Sequence, residues 1–461
     1  MNKNSAIDGH RLSPSLIANL FVGLLDTALP LRFPPGNYGE AATYFWGSEV
    51  TMEESIFQPY LGTRTIFKMD REILRPSYLP ERLPHREGHI DQLAQILVGA
   101  LKGERPSNVL IFGKTGSGKT AVVKYIENEF RKADGARMVQ YFYLNCEIVD
   151  TPYGVLQSIG NKLIENFHQR IPFTGLSTDR VYNLLLEKLD EEKRVVIVAL
   201  DEIDKIVQKN GDDILYQLLK INDDLAKARV SIIGISNDLK FTEYLDPRVR
   251  SRLADEKMVF PPYNAEELFD ILSERSRLAF ENGIADEAVL HLIAALAAQE
   301  HGDARRALDL LRVSAELAER QGDEHITEEH VQRAKNKIEL DTVVEAVKSL
   351  PTQSKVILLG ILLNEEIGNP KLTTGELYTT YQELCRKTGL SPLTQRRVTD
   401  LISELDMLGL AHARVRSFGR GGRTKEIQGS VPTLDVKKVL EKDEILAEAR
   451  GYRLRVQTTL L

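Results

Sequence analysis

Across residues 107–263, short runs of β-branched apolar residues alternate with longer segments whose apolar positions recur every three to four residues. A run that is apolar at every position suits a strand covered on both faces, and the longer segments suit helices laid over it. The pattern therefore predicts an α/β unit built on a parallel sheet. Its strands are expected at 109–112, 138–144, 194–200, 230–236 and 257–260, with Pro261-Pro262 stopping the sheet. From 264 to 340 the period is helical throughout, with breaks at Asn282-Gly283, His301-Gly302 and Gln321-Gly322-Asp323. That predicts a separate bundle of about four helices. A junction near Lys348-Ser349-Leu350-Pro351 opens a third unit, read as three helical segments, a Gly/Arg-rich hairpin and a polar tail. Residues 1–65 show no period and have no assigned role.

Composition narrows this picture modestly. The chain has 461 residues and a net charge of −7, which argues against nonspecific coating of nucleic acid by the whole surface and directs attention to local basic patches. Its two cysteines, Cys146 and Cys385, lie far apart without a neighbouring Cys or His cluster, as expected of a reducing compartment. Residues 16–31 approach a signal core but carry Asn19 and Asp26 and lack a small-residue cleavage site, so the expected location is cytoplasmic, with no membrane partner. Met52 and Met69 each offer an alternative start, which N-terminal sequencing distinguishes.

The chemistry begins at Gly113-Lys114-Thr115-Gly116-Ser117-Gly118-Lys119-Thr120, between the first strand and a helix. The glycines let successive N–H groups turn inward on an anion, and the helix start brings its positive end to the same point. Lys119 is expected to neutralise the outer phosphates and Thr120 to hold Mg²⁺, with Ala121 completing the binding run. Strand 194–200 leads into Asp201-Glu202, 82 positions after Lys119. Asp201 suits the metal shell and Glu202 the deprotonation of a water, although paired acids at a strand end also serve as a plain helix N-cap. Asn237, ending strand 230–236, is expected to position that water, the alternative being a turn former. Arg248, Arg250 and Arg252 alternate along the next segment. One of them, Arg252 first and Arg248 second, is expected to reach a nucleotide on a neighbouring subunit, the alternative being a solvated basic helix end. Arg305, in Gly302-Asp303-Ala304-Arg305-Arg306-Ala307-Leu308, can report the terminal phosphate to the helical bundle, the alternative being a surface salt bridge.

In the third unit, Ser391 and Pro392 suit the start of a helix whose apolar face is Val398, Leu401, Ile402, Leu405 and Leu408, ended by Gly409. The opposite face carries Thr394, Gln395, Arg396 and Thr399, with Arg397 adjoining, residue types that reach bases and phosphates. Beyond it, Arg414, Arg416, Arg420, Arg423 and Lys425 flank Gly419, Gly421 and Gly422 without an acid, which describes the wing of a winged helix. From Arg386 to Lys425 nine basic residues face three acids, a local balance of +6 in an acidic chain. This points to DNA phosphate binding.

Taken in order, these elements resemble the AAA+ superfamily: Walker A at 113–120, Walker B at Asp201-Glu202, sensor one at Asn237, an arginine-finger region at 248–252 and sensor two at Arg305. Leu74-Arg75-Pro76-Ser77-Tyr78-Leu79-Pro80, Leu83-Pro84-His85-Arg86-Glu87 and Phe260-Pro261-Pro262-Tyr263 are similar to phrases of the archaeal origin-recognition initiators, as is the run from Gly302 to Leu308. The resemblance spans about residues 66–430. It implies an ATPase core at 66–263, a lid at 264–340 and a winged-helix domain at 345–461. It further implies ATP/ADP and Mg²⁺ as cofactors, slow hydrolysis acting as a switch, and origin duplex DNA, an MCM-type replicative helicase and other initiator subunits as partners. Tyr263 and Arg275 match nucleotide-contacting positions, His85 and His89 match a base-pocket or helix-start segment better than a zinc pair, and the stretch after Asn145-Cys146-Glu147 to about Arg180 matches a helical insertion that touches DNA. Two other readings stand beside it: an ATP-responsive transcriptional or plasmid-maintenance regulator, and a clamp-loader-like ATPase acting on protein.

Overall fold

The computed structural model describes residues 65–68, 71–133, 138–417 and 423–454. In chain order the first unit runs α1 (Glu87–Leu97), β1 (Val109–Gly113), α2 (Lys119–Lys132), β2 (Val139–Asn145), α3 (Pro152–Leu163), α4 (Thr178–Leu189), β3 (Val195–Asp201), α5 (Ile203–Asn210), α6 (Asp213–Asp224), β4 (Arg229–Ser236), α7 (Pro247–Leu253) and β5 (Glu256–Phe260). The five strands pair in parallel in the order β2-β3-β4-β1-β5, as the apolar runs predict. Their side chains alternate between two cores. Val196, Val198 and Leu200 face the side covered by α3 to α7, while Val195, Ile197 and Ala199 face α1 and α2. The order brings the carboxyl ends of β1, β3 and β4 together, with β4 between the other two. Connections leave these ends toward opposite edges of the sheet, the place where such sheets open a ligand crevice.

Four further helices form the lid: α8 (Ala265–Ala279), α9 (Glu287–Gln299), α10 (Ala304–Gln321) and α11 (Glu328–Ser349). Asn264 and Thr327 close capping boxes at the starts of α8 and α11, which satisfies backbone donors that the first turn leaves orphaned. Ile66, Phe67, Ile73 and Leu74 pack into this lid core, although the sequence grouped them with the sheet. Helix α11 does not stop at 340: Val331 and Ile338 belong to the lid core, and Val347 belongs to the core of the terminal unit.

That unit comprises α12 (Thr352–Glu366), β6 (Leu372–Thr373), α13 (Thr374–Lys387), α14 (Gln395–Met407), β7 (Ala411–Ser417), β8 (Arg423–Gly429) and α15 (Thr433–Leu440). The strands make an antiparallel sheet in the order β6-β8-β7, so helices and hairpin together are a winged helix. Helix α12 is buried from Val356 to Asn364 and forms the centre of the unit.

Three local expectations are corrected. Helix α14 starts at Gln395 with Thr394 as its cap, not at Ser391-Pro392, because the Tyr381 hydroxyl accepts from the Leu393 N–H at 2.9 Å and the Leu393 carbonyl accepts from Tyr378 at 3.0 Å, holding that stretch extended. Leu408 leaves the apolar face: the helix ends at Met407, Leu408 is exposed, and Leu410 fills the core instead. The polar tail contains α15, whose Val436 and Leu440 are buried with Leu446. Among the described residues, Cys146 and Cys385 are buried and unpaired, and no helix is long and apolar enough to cross a membrane.

Candidate nucleotide and nucleic-acid sites

A cavity of about 550 Å³ lies at the carboxyl ends of β1, β3 and β4, beneath the lid. Its lining includes Gly116, Gly118, Lys119, Thr120 and Ala121 of the glycine loop, Asp201, Glu202 and Asn237 at the strand ends, and Tyr263, Arg275 and Arg305 from the hinge and lid. The rest of the loop shapes it from behind. Gly113 and Lys114 give their carbonyls to the Lys119 ammonium at 2.7 and 2.8 Å, and the Ser117 hydroxyl donates to the Lys114 carbonyl at 2.8 Å. Thr115 is exposed and not part of the lining. Gly116 and Gly118 need to be glycine on two counts. Both have φ in the left-handed range, +72° and +90°, and an added Cβ would overlap the Asp303 carboxylate at the first and lie 2.6 Å from the Tyr263 hydroxyl at the second. Burial pulls the Lys119 ammonium down to about 8, with the Asp201 carboxylate opposing.

Asp201 ends β3 and Glu202 sits where α5 begins. The Thr120 hydroxyl donates to Asp201 Oδ2 at 2.7 Å, and the backbone N–H of Glu202 donates to Oδ1 at 3.0 Å. Glu202 adopts φ 55°, ψ 43°, a left-handed conformation rare for this residue, and occupies the N-cap position without making a capping hydrogen bond. The plain helix-cap hydrogen bond is thus absent, and the residue lines the cavity. Burial raises its pKa, and Glu147, Asp201 and Asp204 raise it further, which makes it a stronger proton acceptor.

These residues fit a Mg²⁺–nucleotide. The loop leaves no room for a Cβ where backbone must approach an anion, one buried ammonium faces it, and a hydroxyl and a carboxylate stand 2.7 Å apart beside it. Thr120 and Asp201 are the side chains that could hold the cation.

Sequence reasoning missed several groups here. Arg86 is almost wholly buried, and its guanidinium donates to the carbonyls of His85, Ser117 and Pro261 at 2.9, 2.9 and 2.8 Å while stacking 3.8 Å from the centre of the Tyr263 ring. It ties the glycine loop to the hinge. Asp303 caps α10 by accepting from the Arg305 N–H at 2.7 Å, and the neighbouring Ala304 N–H donates to the Gly116 carbonyl at 3.3 Å, so the lid touches the loop directly. Tyr143 of β2 donates to Asp201 Oδ2 at 2.7 Å. A polar ring near the end of a strand neighbouring the acid pair was the available signal, and it is indistinguishable by pattern from a packing tyrosine.

Other expected residues are placed differently. Arg275 lines the cavity, but its guanidinium donates to the Ile73 and Tyr78 carbonyls, clasping the leading segment to the lid. His85 and His89 do not line the cavity: the His85 ring pairs with Asp270 and the His89 ring lies 4.2 Å from that of Phe260. Both flank the start of α1, the other role the resemblance offered. The three arginines sit on or beside α7, outside the cavity. Arg248 pairs with its own cap Asp246, Arg252 lies 3.5 Å from Asp223, and Arg250 makes no salt bridge among the described residues. The 148–180 stretch is α3, a short 3₁₀ turn and the start of α4, with Phe173 86% exposed between the helices.

On the winged helix the candidates divide. Thr394 is occupied as the cap of α14. Arg397 faces Asp400 and Glu404 at 4.0 and 3.7 Å, and Arg416 pairs with Glu426, the acid one residue beyond the basic stretch. Gln395, Arg396 and Arg414 are exposed, and among the described residues neither arginine forms a salt bridge. Arg423 opens β8, and Arg420 lies outside the described residues.

Family models match three stretches: the ATPase family associated with various cellular activities (AAA) over residues 109–262, the Cdc6 AAA+ ATPase-type lid domain over 269–336, and the CDC6 C-terminal winged helix domain over 345–439. The chain is 52% identical over 407 residues to ORC1-type DNA replication protein 1 of Methanosarcina mazei, covering 87% of this chain and 97% of the relative. It is 54% identical over 392 residues to the ORC1-type DNA replication protein of Thermococcus kodakarensis, covering 85% and 94%. Among solved structures, the Aeropyrum pernix ORC1 protein in complex with DNA matches with a TM-score of 0.72 and 43% identity, over 84% of this chain and all of that one.

Proposed function

Because the chain belongs to the ORC1-type DNA replication proteins, initiators that join an AAA+ ATPase to a winged helix, we propose that it binds origin duplex DNA in an ATP-dependent manner, opens it and recruits an MCM-type helicase. The observation that carries the ATP dependence is continuity. The lid touches the glycine loop through Asp303 and Ala304, and its last helix, α11, enters the winged-helix core without a break. A cytoplasmic location accords with this role, and contacts with further initiator subunits would form along the α7 edge.

In this reading Gly116 and Gly118 present backbone to the phosphates, Lys119 pairs with the outer ones, and Arg305 senses them from the lid. Thr120 and Asp201 would hold Mg²⁺, which would supply neutralisation of phosphate charge. Asn237 orients a water, Glu202 takes its proton as the bond to the terminal phosphorus forms, and the bond from that phosphorus to the bridging oxygen breaks. Arg252 of a neighbouring copy stabilises the charge on the transferred group. Hydrolysis is slow and resets a conformation. At the far end Gln395, Arg396 and Arg414 meet the duplex, with the 148–180 insertion as a second contact.

Two measurements test this. Crosslinking the protein to its genome and sequencing the attached DNA is expected to return one or a few AT-rich loci with inverted repeats; scattered promoters would establish the regulator reading instead. In vitro, Arg396→Ala with Arg414→Ala is expected to weaken duplex binding by about 10- to 100-fold and to lower the salt slope by about one per arginine, whereas Arg397→Ala and Arg416→Ala, already neutralised by acids, have smaller effects. Unchanged affinity in the double variant would favour an ATPase acting on protein.

A further inference from the structure

We propose that Tyr143 is a positioning residue for the metal-holding carboxylate, fixing Asp201 so that Mg²⁺ strengthens nucleotide binding. This rests on the reading above that Thr120 and Asp201 hold the cation. The β2–β3 register sets Asn145 beside Asp201, so Tyr143, two residues earlier on the same face, reaches the acid diagonally. Its hydroxyl donates to Oδ2 at 2.7 Å, the oxygen that also accepts from Thr120 at 2.7 Å, while Oδ1 accepts the Glu202 N–H at 3.0 Å.

The phenol is itself held. The Lys124 ammonium lies 4.7 Å from its ring centre, and the Tyr143 carbonyl accepts from Lys162 at 2.7 Å. Three donors thus define the carboxylate plane, and the hydroxyl of Thr120, donating its hydrogen bond to Asp201, keeps its lone pairs for a cation. Remove the phenol oxygen and one side of Oδ2 is released. The carboxylate is then held by Thr120 and the Glu202 N–H alone and is less fixed in the orientation that meets the cation.

Tyr143→Phe deletes that oxygen alone, leaving the ring, its contact with Lys124 and the backbone bond. The assay titrates a fluorescent ADP analogue into the full-length protein, first with chelator and then across a series of MgCl₂ concentrations. Affinity in chelator should stay within about twofold of the wild type, showing an intact pocket, while the Mg²⁺ concentration giving half the enhancement rises roughly 10- to 100-fold, the loss of one hydrogen bond to a charged acceptor. Asp201→Asn runs alongside and should shift the Mg²⁺ midpoint further. An unshifted midpoint in Tyr143→Phe, with a clear shift in Asp201→Asn, overturns the role of Tyr143 alone. No shift in either variant removes Asp201 from the metal site and takes the inference with it. A Tyr143→Phe protein that loses ADP affinity even in chelator shows a general packing role and equally refutes the proposal.

Discussion

Lys119→Ala is expected to lower ATP and ADP affinity by at least about 100-fold, close to 3 kcal/mol or more, since it removes several charge-assisted hydrogen bonds to phosphate from a desolvated site. The ammonium is buried against the carbonyls of Gly113 and Lys114, and no other buried lysine lines the cavity among the described residues. Equilibrium titration with labelled nucleotide decides the matter, and wild-type affinity would refute the phosphate-loop assignment. Burial also gives this site a pH signature. Lys119 titrates at about 8 in the folded protein against 10.5 for an ordinary lysine, so below pH 8 it is protonated in both folded and unfolded states and its desolvation cost is fully present. Between those values the unfolded chain holds the proton more firmly, and this group's contribution to stability rises with pH. Bound phosphate favours the charged form. Nucleotide binding should therefore take up a proton near pH 9, and affinity should fall as pH rises through about 8, which calorimetry in two buffers of different ionisation enthalpy detects.

Glu202→Gln is expected to keep ATP binding and reduce hydrolysis by about 100- to 10,000-fold, the range for loss of a general base. The amide is isosteric with the carboxylate and asks no new backbone conformation of this left-handed position. Single-turnover hydrolysis of labelled ATP measures the effect, and wild-type turnover would remove Glu202 as the base and transfer attention to Glu147, another carboxylate on the cavity wall. The raised pKa of Glu202 adds a direction: hydrolysis by the wild type should fall, on acidification, at a higher pH than an ordinary glutamate would allow.

Much of this was legible because the relevant forces are local. Strands such as Val195–Asp201 are apolar up to their terminal acid since both faces are covered, and the glycine loop announces itself through backbone conformations that side chains resist. What sequence did not show depends on contacts between distant segments. Arg86 meets Ser117 and Pro261 only after the sheet has brought three segments together, and no period marks a cation whose acceptors are backbone carbonyls. Tyr143 finds Asp201 across a strand register that its own strand does not encode. Thr394 displaced Ser391 as a cap because two tyrosines of the preceding helix hold Leu393, a tertiary effect overriding a good local signal. Basic residues were countable from sequence, but their availability was not: Glu426 occupies Arg416 from the opposite strand of the hairpin.

The unbroken passage of α11 from lid to winged helix carries a mechanical consequence. Its 22 residues make a rod about 33 Å long, so a tilt of roughly ten degrees at the lid end swings the other end by about 6 Å. That exceeds the spacing between successive base pairs, about 3.4 Å. On the function proposed above, a pivot set by one phosphate would be geared up, by the length of a single lever, into a step that duplex DNA can register.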